Sequence, residues 1–164
     1  MIDRAEGAPV TIDVNAFAET DIDAPIDVVF RYRLDGDNIP LYNPHTANIR
    51  RTAGEGSPGP GAEWRFDLTL EGLGTFESFH RVAEAEEPKR IVIETGDPPL
   101  IAREENVFSP TPGGGTHVEF RLHVSVPDEA KDGVPLFEQL SRQQIEMELA
   151  NIKRNLERGE PGAR

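Results

Sequence analysis

Of the chain's four histidines, His80 alone shares an alternating face with apolar side chains, in the set Phe76, Ser78, His80 and Val82. A general base on that face needs an orienting carboxylate or polar group within hydrogen-bond reach, and Glu104 or Glu148 can supply one. The ordinary alternative is a histidine at the sheet rim, hydrogen-bonded to backbone or solvent, which is the commoner condition of strand histidines. His117 and His123 lie on a polar face beside Glu119 and Arg121. Six positions along a strand separate them by about 20 Å, so they cannot share a metal ion and read as solvent-face residues. His45, in Tyr42-Asn43-Pro44-His45, is either near the mouth of a cavity or an ordinary loop histidine. The acidic turn Glu84, Glu86 and Glu87 reads as solvated. The chain has no cysteine, so no thiolate metal site or disulfide can form. Gly54 to Gly61 lacks the Gly-Lys-Ser/Thr ending of a phosphate loop, and there is no Ser-His-Asp order, metal-ligand spacing or dinucleotide fingerprint. No metal and no cofactor is expected.

Positioning these groups falls first to a long helix, Val134 to Glu157. At about 100° per residue, Arg142, Glu146, Lys153 and Glu157 share one stripe, which must face water. Opposite lie Ser141, Gln144, Glu148, Asn151 and Asn155, with Phe137 near the N-terminal end. Leu136, Leu140 and Met147 flank this row on one side, and Ile145, Leu149, Ile152 and Leu156 on the other. A helix on a solid core is most apolar at the centre of its buried arc, whereas this one is polar there. Either it lies across a curved sheet with its midline toward an internal space, or it is an amphipathic helix whose amides bond within a core.

The remaining elements are read mainly from period-two alternation. Val10, Ile12, Val14, Ala16, Ala18 and Ile22 mark a first strand, with Phe17 breaking parity as a candidate bulge. Asp23-Ala24-Pro25 opens a helix whose buried side is Val28, Val29 and Phe30, ended by Asp35-Gly36-Asp37-Asn38. A short turn or helix follows through Tyr42. Strands are predicted over Thr46 to Thr52, Trp64 to Leu70, Thr75 to Ala85, Arg90 to Thr95, Leu100 to Phe108 and Val118 to Val126. Short glycine and proline turns join the later strands, so the sheet is antiparallel. The expectation is one domain over 10–158, with flexible ends at 1–9 and 159–164.

A net charge of -13 argues against nucleic acid, which needs clustered Lys and Arg. No apolar run is long enough for membrane insertion, and the acidic start is unlike a signal peptide, so a soluble cytoplasmic protein is the default expectation. Alternating charges on the last strand disfavour an apolar dimer surface there.

The order of elements, with several short motifs, resembles the START-like (SRPBCC) superfamily of helix-grip, Bet v 1-like fold, in the branch labelled polyketide cyclase/dehydrase-like. The motifs are Asp23-Ala24-Pro25 before Val28-Val29-Phe30, Gly61-Ala62 before the Trp64 strand, Val82 with Pro88-Lys89-Arg90, Gly114-Gly115-Thr116, and Asn151 to Glu157. Where many members carry a Trp after the first helices, this chain has Tyr42, a departure from the chaperone-activator branch. The resemblance implies an α+β fold: a curved antiparallel sheet of about seven strands wrapped on the C-terminal helix, with two short helices after the first strand. It implies a cavity between sheet and helix.

With the even-numbered face of the Trp64 strand concave, the expected cavity residues are Trp64, Phe66 and Leu68, then Phe76, Ser78 and His80. Glu104 and Asn106 join them if the even parity of their strand faces inward, a choice left open by Ile101 and Val107 on the other parity. Tyr42, Phe137, Leu140, Gln144, Met147, Glu148 and Asn151 complete the set. A mostly apolar pocket with a few polar groups suits a small apolar or amphipathic molecule, lipid-like or polyketide/aromatic. A cyclase or dehydratase with an acid/base residue in the same cavity, His80 being the candidate, is the alternative. A protein-interaction module is a third reading.

Overall fold

The computed structural model describes residues 10–97 and 100–159. The flexible ends expected at 1–9 and 159–164 lie, Gly159 apart, outside those residues, as does the Pro98-Pro99 break. In chain order the elements are β1 (Thr11–Ile22), α1 (Ile26–Leu34), a 3-10 turn (Gly36–Asn38), α2 (Ile39–Tyr42), β2 (Thr46–Ala53) and β3 (Glu63–Leu70). Then come β4 (Gly74–Glu86), β5 (Arg90–Asp97), β6 (Leu100–Pro110), β7 (Thr116–Pro127), a second 3-10 turn (Asp128–Gly133) and α3 (Val134–Arg158). Seven strands form one antiparallel sheet in the order β1-β7-β6-β5-β4-β3-β2. The meander from β2 to β7 is thus closed at its last strand by β1, and α3 returns to pack along β1. This is the helix-grip arrangement.

Pro25 precedes the first turn of α1, where Asp27 meets the positive end of the helix. β1 and β7 pair without interruption from Thr11 opposite Pro127 to Ile22 opposite Thr116. The bulge expected at Phe17 is therefore absent. Phe17 continues the outward parity of the strand and stands 46% exposed. On β6, Glu104, Asn106 and Phe108 are buried and Ile101 is exposed, so the even parity faces inward. The outer face of β3 to β5 is an ion-pair lattice, with Arg81 bridging Glu63 and Glu94 while Arg65 and Arg81 lie over the buried ring of Phe79. Guanidinium planes shield that ring from water by stacking on it.

The apolar side of α3, through Ile145, Leu149, Ile152 and Leu156, is buried in the core shared with Val29 and Phe30 of α1. Gly159 ends the helix in the left-handed region, at φ 71°, with its N–H directed at the carbonyls of Asn155 and Leu156. The polar midline of α3 divides along its length. Toward the C-terminus, Asn151 Nδ2 donates to the Tyr42 carbonyl at 2.9 Å, and Asn155 Nδ2 donates to the Leu41 carbonyl at 2.8 Å and the Tyr32 hydroxyl at 3.0 Å. These amides satisfy carbonyls that a four-residue helix cannot pair internally. Toward the N-terminus, Ser141, Gln144 and Glu148 line open space. Both readings of the polar row hold, each for half the helix.

Candidate functional site

A cavity of about 840 Å³ lies between the inner face of the sheet and the N-terminal half of α3. Its apolar wall comes from Phe66 and Leu68 of β3, Phe76 of β4, Leu122 and Val124 of β7, and Phe137, Leu140 and Met147 of α3. Strand alternation delivers these side chains to one face, and the curvature of the sheet keeps them from closing on each other. The end of β3 contributes Leu70, and the β3–β4 turn Glu71 and Leu73; Glu71 and Leu73 are exposed, which marks the side on which the cavity opens.

The inner end is polar and organised around a residue that the strand and helix patterns did not single out. Arg33 of α1 is 3% exposed. Its Nε donates to Asn106 Oδ1 at 2.7 Å, one terminal nitrogen to the Tyr42 hydroxyl at 2.8 Å, and the other to Glu104 Oε2 at 2.8 Å. Glu148 Oε1 lies 3.6 Å from the guanidinium. The cation also sits over the rings of Phe120 and Tyr42, at 4.7 and 5.3 Å from their centroids. Asn106 Nδ2 donates to Glu104, and Glu148 Oε2 accepts from Asn43 at 2.8 Å and Gln144 at 3.3 Å. A buried charge cluster persists only when each member is paired in this way.

The signal for Arg33 was the same periodicity that located α1. Arg33 follows Val29 by four positions and Phe30 by three, which places a charged side chain on the buried stripe. A cation there requires partners from elsewhere in the fold, and β6 and α3 provide them.

The cluster sets the titration of its members. Burial would lower the Arg33 pKa, but Tyr42, Glu104 and Glu148 together raise it above its ordinary value, so the guanidinium remains charged. Burial raises the Tyr42 hydroxyl, against the opposing pull of Arg33. The Glu148 carboxyl is pushed up from 4.5 to about 6, by burial first and by Glu104 as well, with Arg33 acting against both.

His80 lines the cavity but makes no pair with Glu104 or Glu148, both of which are directed at Arg33. Its ring meets Trp64 edge-on at 5.9 Å, and its Nε2 is buried without a hydrogen-bond partner among the described residues. Burial, then the Arg33 charge, lowers the imidazole from 6.5 to about 3. The ring is neutral at neutral pH.

That shift has a consequence for stability. Below 6.5 the unfolded chain takes up a proton at His80 that the folded chain refuses until about 3, so this contribution is complete above 6.5 and is lost as pH falls. Glu148 acts in reverse: its contribution is complete below 4.5 and is lost as pH rises through about 6. The His80 displacement is the larger. The urea midpoint of the wild type is expected to fall more steeply than that of His80→Phe as pH is lowered from 6.5. Parallel curves for the two proteins would contradict the assignment.

Of the residues expected at the cavity, Tyr42, Phe66, Leu68, Phe76, Ser78, His80, Glu104, Phe137, Leu140, Gln144, Met147 and Glu148 line it. Three do not. Trp64 is fully buried one step further along β3, under the 3-10 turn, where Nε1 donates to Asp37 at 2.8 Å. Asn106 is sealed behind Glu104 and Arg33, and Asn151 is turned to α2. His45 does line the cavity.

His117 and His123 keep separate partners on the outer face, His123 beside Asp13 and His117 between Asp21 and Glu19. Glu119 completes a group with Glu19 and His117 that strand spacing within β7 did not reveal, because Glu19 comes from β1. The hydrogen bond with Asp21 leads the causes that raise the His117 pKa, which favours the protonated ring in ion pairs.

The model for the family described as polyketide cyclase / dehydrase and lipid transport matches residues 13–157. No curated protein matches. Among solved structures, a START superfamily protein from Mycobacterium smegmatis is similar at 16% identity and TM-score 0.71, covering 88% of this chain and 98% of that one. The di-domain ARO/CYC StfQ from the steffimycin biosynthetic pathway is similar at 16% identity and TM-score 0.71, over 87% of this chain and 50% of that one. A protein of Thermus thermophilus is similar at 19% identity and TM-score 0.68, over 85% and 94% of the respective chains. At these identities the structures share the fold alone. Among the described residues no helix is long and apolar enough to cross a membrane. With the family model spanning nearly all of the sheet and α3, the chain belongs to the polyketide cyclase / dehydrase and lipid transport family.

Proposed function

We propose that this protein binds a small, largely apolar ligand in the cavity between its sheet and α3. The observation that carries the reading is the size and lining of that space: about 840 Å³, with Phe66, Leu68, Phe76 and Leu140 on its wall and Arg33, Glu104 and Glu148 gathered at its inner end. Pockets of this size and make-up take lipid-like or aromatic molecules and orient them by a few polar contacts. An interaction module needs no interior room, so the hollow favours a ligand over that alternative.

A cyclase or dehydratase is the second reading, and Glu148 favours it. A carboxyl raised to about 6 and lining the cavity is suited to exchange protons near neutral pH. The same work is harder for His80, whose Nε2 is buried and whose ring resists protonation.

The binding reading is tested with the neutral fluorescent probe N-phenylnaphthylamine. Wild-type protein should give saturable fluorescence enhancement, and Ala102→Trp, which puts an indole into the cavity wall, should weaken it several-fold while the fold survives. Equal binding by both proteins would remove the probe from the cavity and the reading with it.

A further inference from the structure

The charges that line the cavity carry a statement about the ligand's head group, resting on the binding reading above. Among the described lining residues, Arg33 is the one lysine or arginine, against the three carboxylates of Glu71, Glu104 and Glu148. The guanidinium is committed: its short bonds go to Asn106, Tyr42 and Glu104, and Phe120 lies against it. It therefore offers little to an incoming anion. Glu148 is less fully occupied. Its Oε2 accepts from Asn43 and Gln144, while Oε1 has the 3.6 Å approach of Arg33. A carboxylate has about four acceptor positions, so Oε1 retains room for a donor from the cavity side. Its side chain is 13% exposed, against 5% for Glu104, so Glu148 is the acid more open to a ligand.

We infer that the cavity selects apolar molecules bearing a hydrogen-bond-donating cationic head, an alkyl or aryl amine, with the ammonium set against Glu148, and discriminates against carboxylates such as fatty acids. Two effects act together. Inside, an ammonium would balance two carboxylates that share one guanidinium, and a charge-assisted bond in a partly dry site is stronger than a neutral one. Outside, a net charge of -13 and the exposed Glu71 favour the approach of a cation over an anion. A ligand carboxylate would add a third negative charge to the two of Glu104 and Glu148 and find the guanidinium already filled.

The test is displacement of N-phenylnaphthylamine by decylamine, decanol and decanoate near neutral pH, below their micelle concentrations. For the wild type, decylamine should displace the probe at about a tenfold lower concentration than decanoate, with decanol between them. In Glu148→Gln the advantage of the amine should shrink to within about threefold. Decanoate matching or surpassing decylamine, or an amine advantage unchanged by Glu148→Gln, would overturn the head-group assignment while leaving cavity binding in place. If the probe bound and none of the three decyl compounds displaced it, the inference and the lipid-like reading of the cavity would both fail.

Discussion

Replacement of Arg33 by methionine is expected to lower the unfolding free energy by about 3–5 kcal/mol at neutral pH, the range for removing one partner of a buried ion pair. Methionine approximates the volume of the side chain, so packing against Phe120 and Tyr42 is largely kept and the electrostatic loss dominates. What remains is two carboxylates at the inner end of the cavity with no cation between them, and a Tyr42 hydroxyl and an Asn106 amide each missing a donor. Without Arg33 the folded state holds its carboxyl protons more tightly, so the deficit should shrink as pH is lowered into the carboxylate range. Pairing the substitution with Glu104→Gln should return part of the loss, because the two residues act on one network. Urea unfolding of the four proteins at two pH values measures all of this. A loss below about 1 kcal/mol, unchanged with pH, would mean that the cluster is solvated and not the buried array described.

The second large effect is steric. An alanine at Gly36 would place its Cβ inside van der Waals contact with the six-membered ring of Trp64. The indole cannot retreat: it is fully buried, and its Nε1 is tied to Asp37 in the same turn. Gly36→Ala should therefore cost about 2–3 kcal/mol, the upper part of the range for overpacking a core. The same change made in a Trp64→Leu background should cost less than about 1 kcal/mol, since the opposing ring is gone. Trp64 is the chain's single tryptophan, so its fluorescence reports on the site in the Gly36→Ala protein. A neutral Gly36→Ala would show that the 3-10 turn moves away freely and does not clamp the end of β3.

These two sites also show what the sequence made legible. The alternation of Trp64, Phe66 and Leu68 placed all three on the inner face, and they are there. Alternation does not say what lies over a strand, however. The turn after α1 covers the Trp64 end, so only Phe66 and Leu68 meet the cavity. On α3 the helical period identified the polar row from Ser141 to Asn155. Which half would face space and which would bond to α2 depended on a contact more than a hundred residues away in the chain, between Asn151 and Tyr42.

Arg33 is the sharper case. Its position on the buried stripe of α1 could be read from the spacing to Val29 and Phe30. Its partners, at separations of 71 and 73 residues on β6, could not be read from any local pattern. Strand parity carried further on β6, where Glu104, Asn106 and Phe108 share the inward face. Long-range pairings of this kind depend on sheet order, which short-range periodicity does not encode.

The proposed binding role requires an open cavity with Glu148 at its inner end. A crystal structure of the protein soaked with decylamine addresses both points at once. Continuous density for the alkyl chain is expected along Phe66, Leu68 and Leu140, with the nitrogen within hydrogen-bond distance of Glu148. An interior closed by side chains, with α3 settled onto the sheet and the amine found only on the surface, would rule out both the binding cavity and the role of Glu148.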